Sequence, residues 1–300
     1  MSYFCSLKKS YLTIILFLIS LNINAQEVPT TSELKVGNSL FRLKNKRDFS
    51  RKGDFTATWG YNFSWYGKSD IRFQGPNYDF TLKSVVAHDR QSKFGRDYFN
   101  PARISIPQYN LRLGYYISDK YSISLGWDHM KYVVDIPQQV QVYGVIGETI
   151  SNPGISTGNK AGTYNGETID LNAEMLKYEH TDGFNYLSTE LQRDDDVWVS
   201  KSRKRSLTME TGAGVGMFIP RSDVRLFGVG ENHYWNVAGY GFSIKGGLKY
   251  FITKGMFLQN STKFGYSNLT QVRTTGRNDL DKASQKIGYI ENYTVLGYHF

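Results

Sequence analysis

The feature that most constrains this chain is an alternation of apolar and polar residues at every second position, sustained over stretches of ten to fifteen residues. A two-residue period belongs to a strand whose faces meet different surroundings, and ordinary strands run only about five or six residues. Strands that cross a bilayer need about 9 to 11 tilted residues, and these stretches have that length. Helical crossing is excluded, since beyond residue 25 no run of consecutive hydrophobic residues exceeds three. The chain of 300 residues is 40% hydrophobic and 15% aromatic, with 22 Tyr, which is too aromatic for a disordered polymer. Its 29 Gly and 7 Pro are spread without an obvious linker, which favours one large β domain.

Eight stretches carry the alternation. The first, Gly53 to Tyr66, puts Phe55, Ala57, Trp59, Tyr61, Phe63 and Trp65 on one face and Thr56, Thr58, Gly60, Asn62 and Ser64 on the other. The second runs from about Ile104 to Ile117 and forms a hairpin, through Ser118-Asp119-Lys120, with the third, Tyr121 to Val134. The fourth, Gly183 to Gln192, is weaker; the fifth, Ser206 to Phe218, sets Val215 and Met217 against Gly212, Gly214 and Gly216, which leave room inside a narrow barrel. The sixth, Val237 to Phe251, turns at Thr253-Lys254-Gly255 into the seventh, Met256 to Ser267, and the last spans Gln285 to Phe300. An even number of strands brings both termini to one side and lets the first strand close on the last. Closure is required because an open edge in hydrocarbon leaves backbone groups unpaired at several kcal/mol each.

The expected fold is therefore all-β, a closed antiparallel transmembrane β-barrel of eight strands with long outer loops. The connections 67 to 103, 135 to 182, 219 to 236 and 268 to 284 are long, and the others short or moderate. Further alternation at Tyr78 to Leu82 and Val140 to Val145 implies either strands that continue above the membrane or one extra hairpin, making ten strands. On this topology Phe55, Tyr250 and Phe300 fall in an inner aromatic girdle and Trp65, Tyr240 and Tyr266 in an outer one.

Residues 1–25 read as a signal peptide: Lys8 and Lys9, an apolar core from Tyr11 to Leu21, and Ala25 before the cleavage point. Residues 26–52 form a periplasmic N-terminal segment, a short plug or a tether, and 53–300 the barrel. The single cysteine, Cys5, leaves with the leader, so disulfides, thiolate metal sites and cysteine nucleophiles are excluded from the mature chain. The charge of +9 falls to +7 with Lys8 and Lys9 gone, and in an exported chain it points to anionic lipid or polysaccharide rather than nucleic acid.

The signal peptide, the aromatic strands and the terminal Tyr298-His299-Phe300 resemble a bacterial outer-membrane β-barrel protein. The Asn-Ala-Gln cleavage context, Gly126-Trp127-Asp128-His129-Met130-Lys131-Tyr132 and Val237-Ala238-Gly239-Tyr240-Gly241-Phe242 resemble uncharacterised barrels of Bacteroidota over roughly residues 53 to 300. The resemblance implies a fold and a Gram-negative outer-membrane location; the expected partners are outer-membrane lipid, lipopolysaccharide and, through Phe300, the barrel-assembly machinery. The resemblance transfers no activity, and the barrel is expected to be a monomer.

Eight charges take the inward parity: Arg112, Asp128, Glu190, Glu210, Lys245, Lys249, Lys263 and Glu291. An eight-stranded interior is only wide enough for side chains, so these charges must pair or stay hydrated. A structural salt-bridge network that fills the lumen is favoured over a proton or solute path. His88, His129, His180, His233 and His299 show no metal-ligand spacing, and no cofactor motif is present. His129 takes the outward parity near the outer leaflet, the place of the catalytic His in lipid A deacylase-type barrels. Those enzymes pair it with a Ser two residues on, whereas Lys131 stands there, so an imidazole and an ammonium facing lipid phosphates is the simpler expectation. The basic clusters Lys44 to Lys52 and Lys201 to Arg205 read as solvated periplasmic segments, and Asp194-Asp195-Asp196 as a charged turn. The favoured function is an envelope-structural or surface-interaction role through the outer loops. The alternatives are a lipid-modifying enzyme using His129 and a narrow passive channel.

Overall fold

The computed structural model describes residues 41, 43–93, 95–100, 103, 106–150, 154–230, 234–275 and 280–300. The leader, its cleavage point, Cys5, residues 26–40 and His233 lie outside the described residues.

Alternating residues become strands where each face finds its own surroundings. Eight do so in one closed ring: β1 (Phe55–Tyr66), β2 (Tyr109–Tyr116), β3 (Tyr121–Val134), β4 (Leu176–Val199), β5 (Ser206–Phe218), β6 (Gly239–Phe251), β7 (Met256–Val272) and β8 (Lys282–His299). Each pairs antiparallel with its neighbours, and β1 pairs with β8 as well as with β2, so the ring has no free edge. The fold is a closed antiparallel eight-stranded β-barrel. The Phe300 amide donates to the Phe55 carbonyl at 2.9 Å, which joins the two chain ends of the barrel at one rim.

Register fixes the dimensions. Following paired residues round the ring, Phe55 leads to Tyr115, Ile123, Leu191, Ala213, Ile244, Phe264, Ile290 and then Trp65, ten residues further along β1 than the start. With 3.4 Å per residue and 4.8 Å between strands, this stagger gives a tilt of about 42° and a backbone diameter of about 17 Å. All members of that row face outward, and exposed apolar side chains continue it, among them Leu113, Leu125, Val215, Phe242, Leu258 and Leu296. From Tyr240 to Tyr250 the belt is about 25 Å tall at this tilt, the height of a barrel's hydrocarbon-facing band. The aromatic residues Phe55, Tyr115, Tyr121, Trp198, Tyr250, Tyr298 and Phe300 are exposed at one rim of the belt and Trp65 and Tyr240 at the other.

Strand bounds shift, with β2 starting at Tyr109 rather than about Ile104 and β7 running on past Ser267 to Val272, and the fourth stretch changes most. β4 is not limited to 183–192 but extends from Leu176 to Val199, so the connection to β5 shrinks to residues 200–205. Its polar outward positions hid the extension: Arg193 and Asp195 pair with each other there at 2.6 Å, and Asp195 is buried. The ten-strand alternative is not found. Instead Ser69–Gly75 pairs with the far end of β8, and Tyr78–Val85, Gln138–Ile146 and Gly162–Leu171 add to it in turn as a sheet beyond the ring. On the opposite wall the upper part of β4 pairs with Arg221–Leu226. Apolar residues of the two extensions share one core: Phe73 and Phe80 stack at 5.3 Å, and Phe73 meets Tyr178 edge-on at 6.1 Å.

Candidate functional site

The inward faces converge on a filled lumen with three layers. At the rim bearing the short turns, residues 43–54 cross the opening. The Arg47 guanidinium donates to Asp196 at 2.6 Å and lies 4.3 Å from the centre of the Phe251 ring. Arg51 joins the same carboxylate, and its backbone amide donates to Asp119 at 2.8 Å. Arg51 is only 3% exposed, so the Lys44 to Lys52 cluster is not simply a solvated segment. The physical reason lies in Asp194 and Asp196, which belong to β4 rather than to a turn and point inward as counter-charges. Asp194 accepts from the Tyr116 hydroxyl and from Lys249, whose Nζ is 3.1 Å away.

All eight inward charges named from the sequence lie in the middle layer or at its boundary. Lys263 contacts Asp128, Glu190 at 3.1 Å and Glu291 at 3.5 Å. Arg112 reaches Glu190 at 2.9 Å and Asp128 at 3.5 Å. Lys245 lies 2.9 Å from Glu190 and 3.8 Å from Glu210, and Lys249 lies 3.4 Å from Glu210. With the four rim residues, six cations face six anions, so the formal charges of these twelve groups sum to zero. Neutral amides complete the shell: Asn110 donates to Asp128 and Glu291, each at 2.8 Å, and Gln259 to Glu210 at 2.8 Å. The β5 glycines make this possible, because a Cβ at Gly214 would sit 2.6 Å from the Glu190 side chain.

The third layer is aromatic. Tyr66 packs against Tyr132 at 4.9 Å and Phe184 at 6.1 Å, Phe184 stacks on Phe218 at 4.8 Å, and Phe218 meets Tyr289 at 6.1 Å. These rings bridge opposite walls and join the core of the outer extensions. A cavity of about 20 Å³ lies among the charged side chains, bordered by Arg112, Ser124, Lys245 and Tyr293. That is room for about one water molecule.

His129 and Lys131 keep the outward parity but do not face lipid phosphates. His129 is 5% exposed, stacked on Tyr109 at 5.0 Å and bonded through Nδ1 to Asn185 at 2.7 Å. The Lys131 ammonium donates to the Ser92 hydroxyl at 3.1 Å and the Ile106 carbonyl at 2.8 Å, so the connection before β2 folds over this part of the wall. A hydroxyl–imidazole pair does occur, Ser222 with His180 Nδ1 at 2.9 Å, but both residues are sealed in the aromatic core at 1% and 0% exposure. No metal-binding cluster occurs among the described residues.

Sequence reading missed Arg47, Arg51, Asp194 and Asp196. A signal for the two aspartates was present, since Glu190, Gln192, Asp194 and Asp196 continue the inward parity of β4 without a break.

No family model matches the sequence, and no curated protein matches it. Among solved structures the chain is similar to the outer membrane protein OprG from Pseudomonas aeruginosa, with 10% identity, 85% of this chain and 99% of that chain covered, and a TM-score of 0.37. Ail, the attachment invasion locus protein of Yersinia pestis, aligns at 12% identity over 83% of this chain and 99% of its own, with a TM-score of 0.26. The N-terminal β-barrel domain of Pseudomonas aeruginosa OprF aligns at 8% identity over 83% and 98%, with a TM-score of 0.25.

Proposed function

We propose that this chain is a Gram-negative outer-membrane barrel, exported by a cleaved leader, whose barrel is an anchor and whose work is done by the outer sheet. The observation that carries this reading is the contrast between the two ends of one closed lumen. At one end three short turns and the two chain ends of the barrel lie against the girdle; at the other, a sheet of four further strands stands beyond it on an apolar core that it shares with the top of the barrel. A lumen filled by paired charges and stacked rings favours an interaction at the cell surface or a load-bearing role in the envelope over transport. Outer-membrane lipid and lipopolysaccharide would surround the belt, and the terminal Phe300, 72% exposed, would be available to the assembly machinery.

Orientation is the testable core of the proposal. A protease site inserted near residue 157, in the connection between two strands of the outer sheet, should be cut on intact cells. The same site inserted near residue 202, between β4 and β5, should be cut only after the outer membrane is opened. Cutting at 202 alone would invert the barrel and remove the surface role. Lipid A from deletion and wild-type cells should have the same masses; an acyl-chain difference would favour the lipid-modifying alternative.

A further inference from the structure

Four cations at the short-turn rim take no part in the lumen network. Lys201, Arg203, Lys204 and Arg205 occupy the turn between β4 and β5, all exposed, and none forms an ion pair among the described residues. Across from them the turn after β6 brings Lys254, whose only described ion pair is with Asp48 at 3.2 Å. A groove of about 640 Å³ opens between the two turns. One wall is apolar and continuous with the belt: Trp198 pairs with Leu207, Leu207 with Tyr250, and Trp198, Tyr250 and Ile252 are 47%, 40% and 37% exposed. The other wall carries Lys204, Arg205 and Lys254 with the hydroxyls of Ser200 and Ser202, 3.1 Å apart, and Lys201 and Arg203 stand in the same turn just outside it.

We propose that this groove seats the phosphate headgroup of an anionic phospholipid in the leaflet that borders the short turns. The proposal rests on the belt being embedded in a bilayer. Given that, the girdle fixes Trp198 and Tyr250 at the level where acyl chains give way to headgroups, and the cations stand immediately beyond it. A lipid phosphate is the ligand that uses both walls at once, its glycerol and first methylenes against the indole and its charge against the basic turn. A comparable trough at the opposite end, bordered by Lys68, Arg72 and Lys286, is mixed in charge, because Asp70 also lines it and Asp79 pairs with Arg72 at 2.6 Å.

The test uses the full mature chain reconstituted in phosphatidylcholine vesicles and reads the tryptophan fluorescence that Trp198→Phe removes. Phosphatidylglycerol brominated near the glycerol end of its acyl chains should half-quench that component at about fivefold lower mole fraction than equally brominated phosphatidylcholine, the attraction of roughly one added cation. The preference should disappear in K201Q/R203Q/K204Q/R205Q, survive in K282Q/K286Q, and survive excess inorganic phosphate. Equal quenching by both lipids in the wild type would overturn the site, as would a preference that persists in the quadruple variant or vanishes in the distant double variant. Loss of the preference in inorganic phosphate would reassign the groove to a soluble anion. Quenching by neither lipid would remove the bilayer reading itself, an outcome distinct from the others.

Discussion

Taking an ammonium out of water costs several kcal/mol unless anions surround it, and Lys263 shows how this lumen meets that cost. It is 1% exposed on the side chain and touches three carboxylates, of which Asp128 and Glu190 are shared with Arg112. Replacing it by Met keeps the volume but leaves Asp128, Glu190 and Glu291 crowded around an apolar group. Lys263→Met should therefore destabilise the barrel by about 3–5 kcal/mol, measured as the urea midpoint of the refolded protein in detergent micelles. Adding Asp128→Asn to that variant should recover part of the loss. A midpoint unchanged by the single substitution would mean that the carboxylates are individually hydrated and that no network exists. The inward position of Lys263 was legible in the sequence, since parity along a ten-residue strand sorts wall from lumen. Its partners were not, because Asp128 and Glu190 sit on strands brought opposite by the stagger of the ring, a property of closure that no local pattern encodes. His129 shows the same limit from outside: parity gave its face, but its burial comes from a connection whose path the sequence did not specify.

At the scale of elements, the alternating strands were readable and the segment before them was not. Residues 43–54 have no periodicity; what orders them is a set of charge-assisted contacts with the barrel rim. Asp119, in the turn between β2 and β3, receives the Ser50 hydroxyl at 2.5 Å and the amides of Arg51 at 2.8 Å and Lys52 at 3.3 Å. The Ser50 hydrogen bond first, then the Arg51 and Lys52 amides and the Arg51 charge, hold its carboxyl below the ordinary carboxylate range against a partial desolvation that acts the other way. A carboxyl with a depressed folded pKa contributes its stabilisation above the unfolded value, near 4, and loses it as pH falls through the lower folded value. Asp119→Asn should thus raise cleavage of residues 43–54 at neutral pH by about twofold to fivefold, a small factor because the contact is partly solvated. Wild type and variant should converge under acid proteolysis with pepsin. Equal cleavage at neutral pH would show that Arg47 and Arg51, through Asp196, hold the segment without help from the turn.

For the whole molecule the decisive property is that three seals lie in series along one axis: the segment carrying Arg47 and Arg51, the ion-paired layer around Lys263, and the aromatic layer from Tyr66 to Tyr289. Conductance through seals in series is limited by whichever remains shut. The sequence supported the middle seal, through eight inward charges in a ring too narrow for a pore, while the other two depend on how a segment and the outer extensions fold back over the openings. Purified mature protein in planar bilayers should therefore show no steady single-channel steps. Removal of residues 41–52 should leave it silent as well, because the ion pairs around Lys263 are made between barrel strands and do not involve that segment. The truncated chain is the more informative of the two. If it gave large, uniform openings while the full chain stayed closed, residues 41–52 would be a gate rather than a cap, the lumen charges would line a path rather than fill it, and the passive-channel alternative would replace the anchor reading.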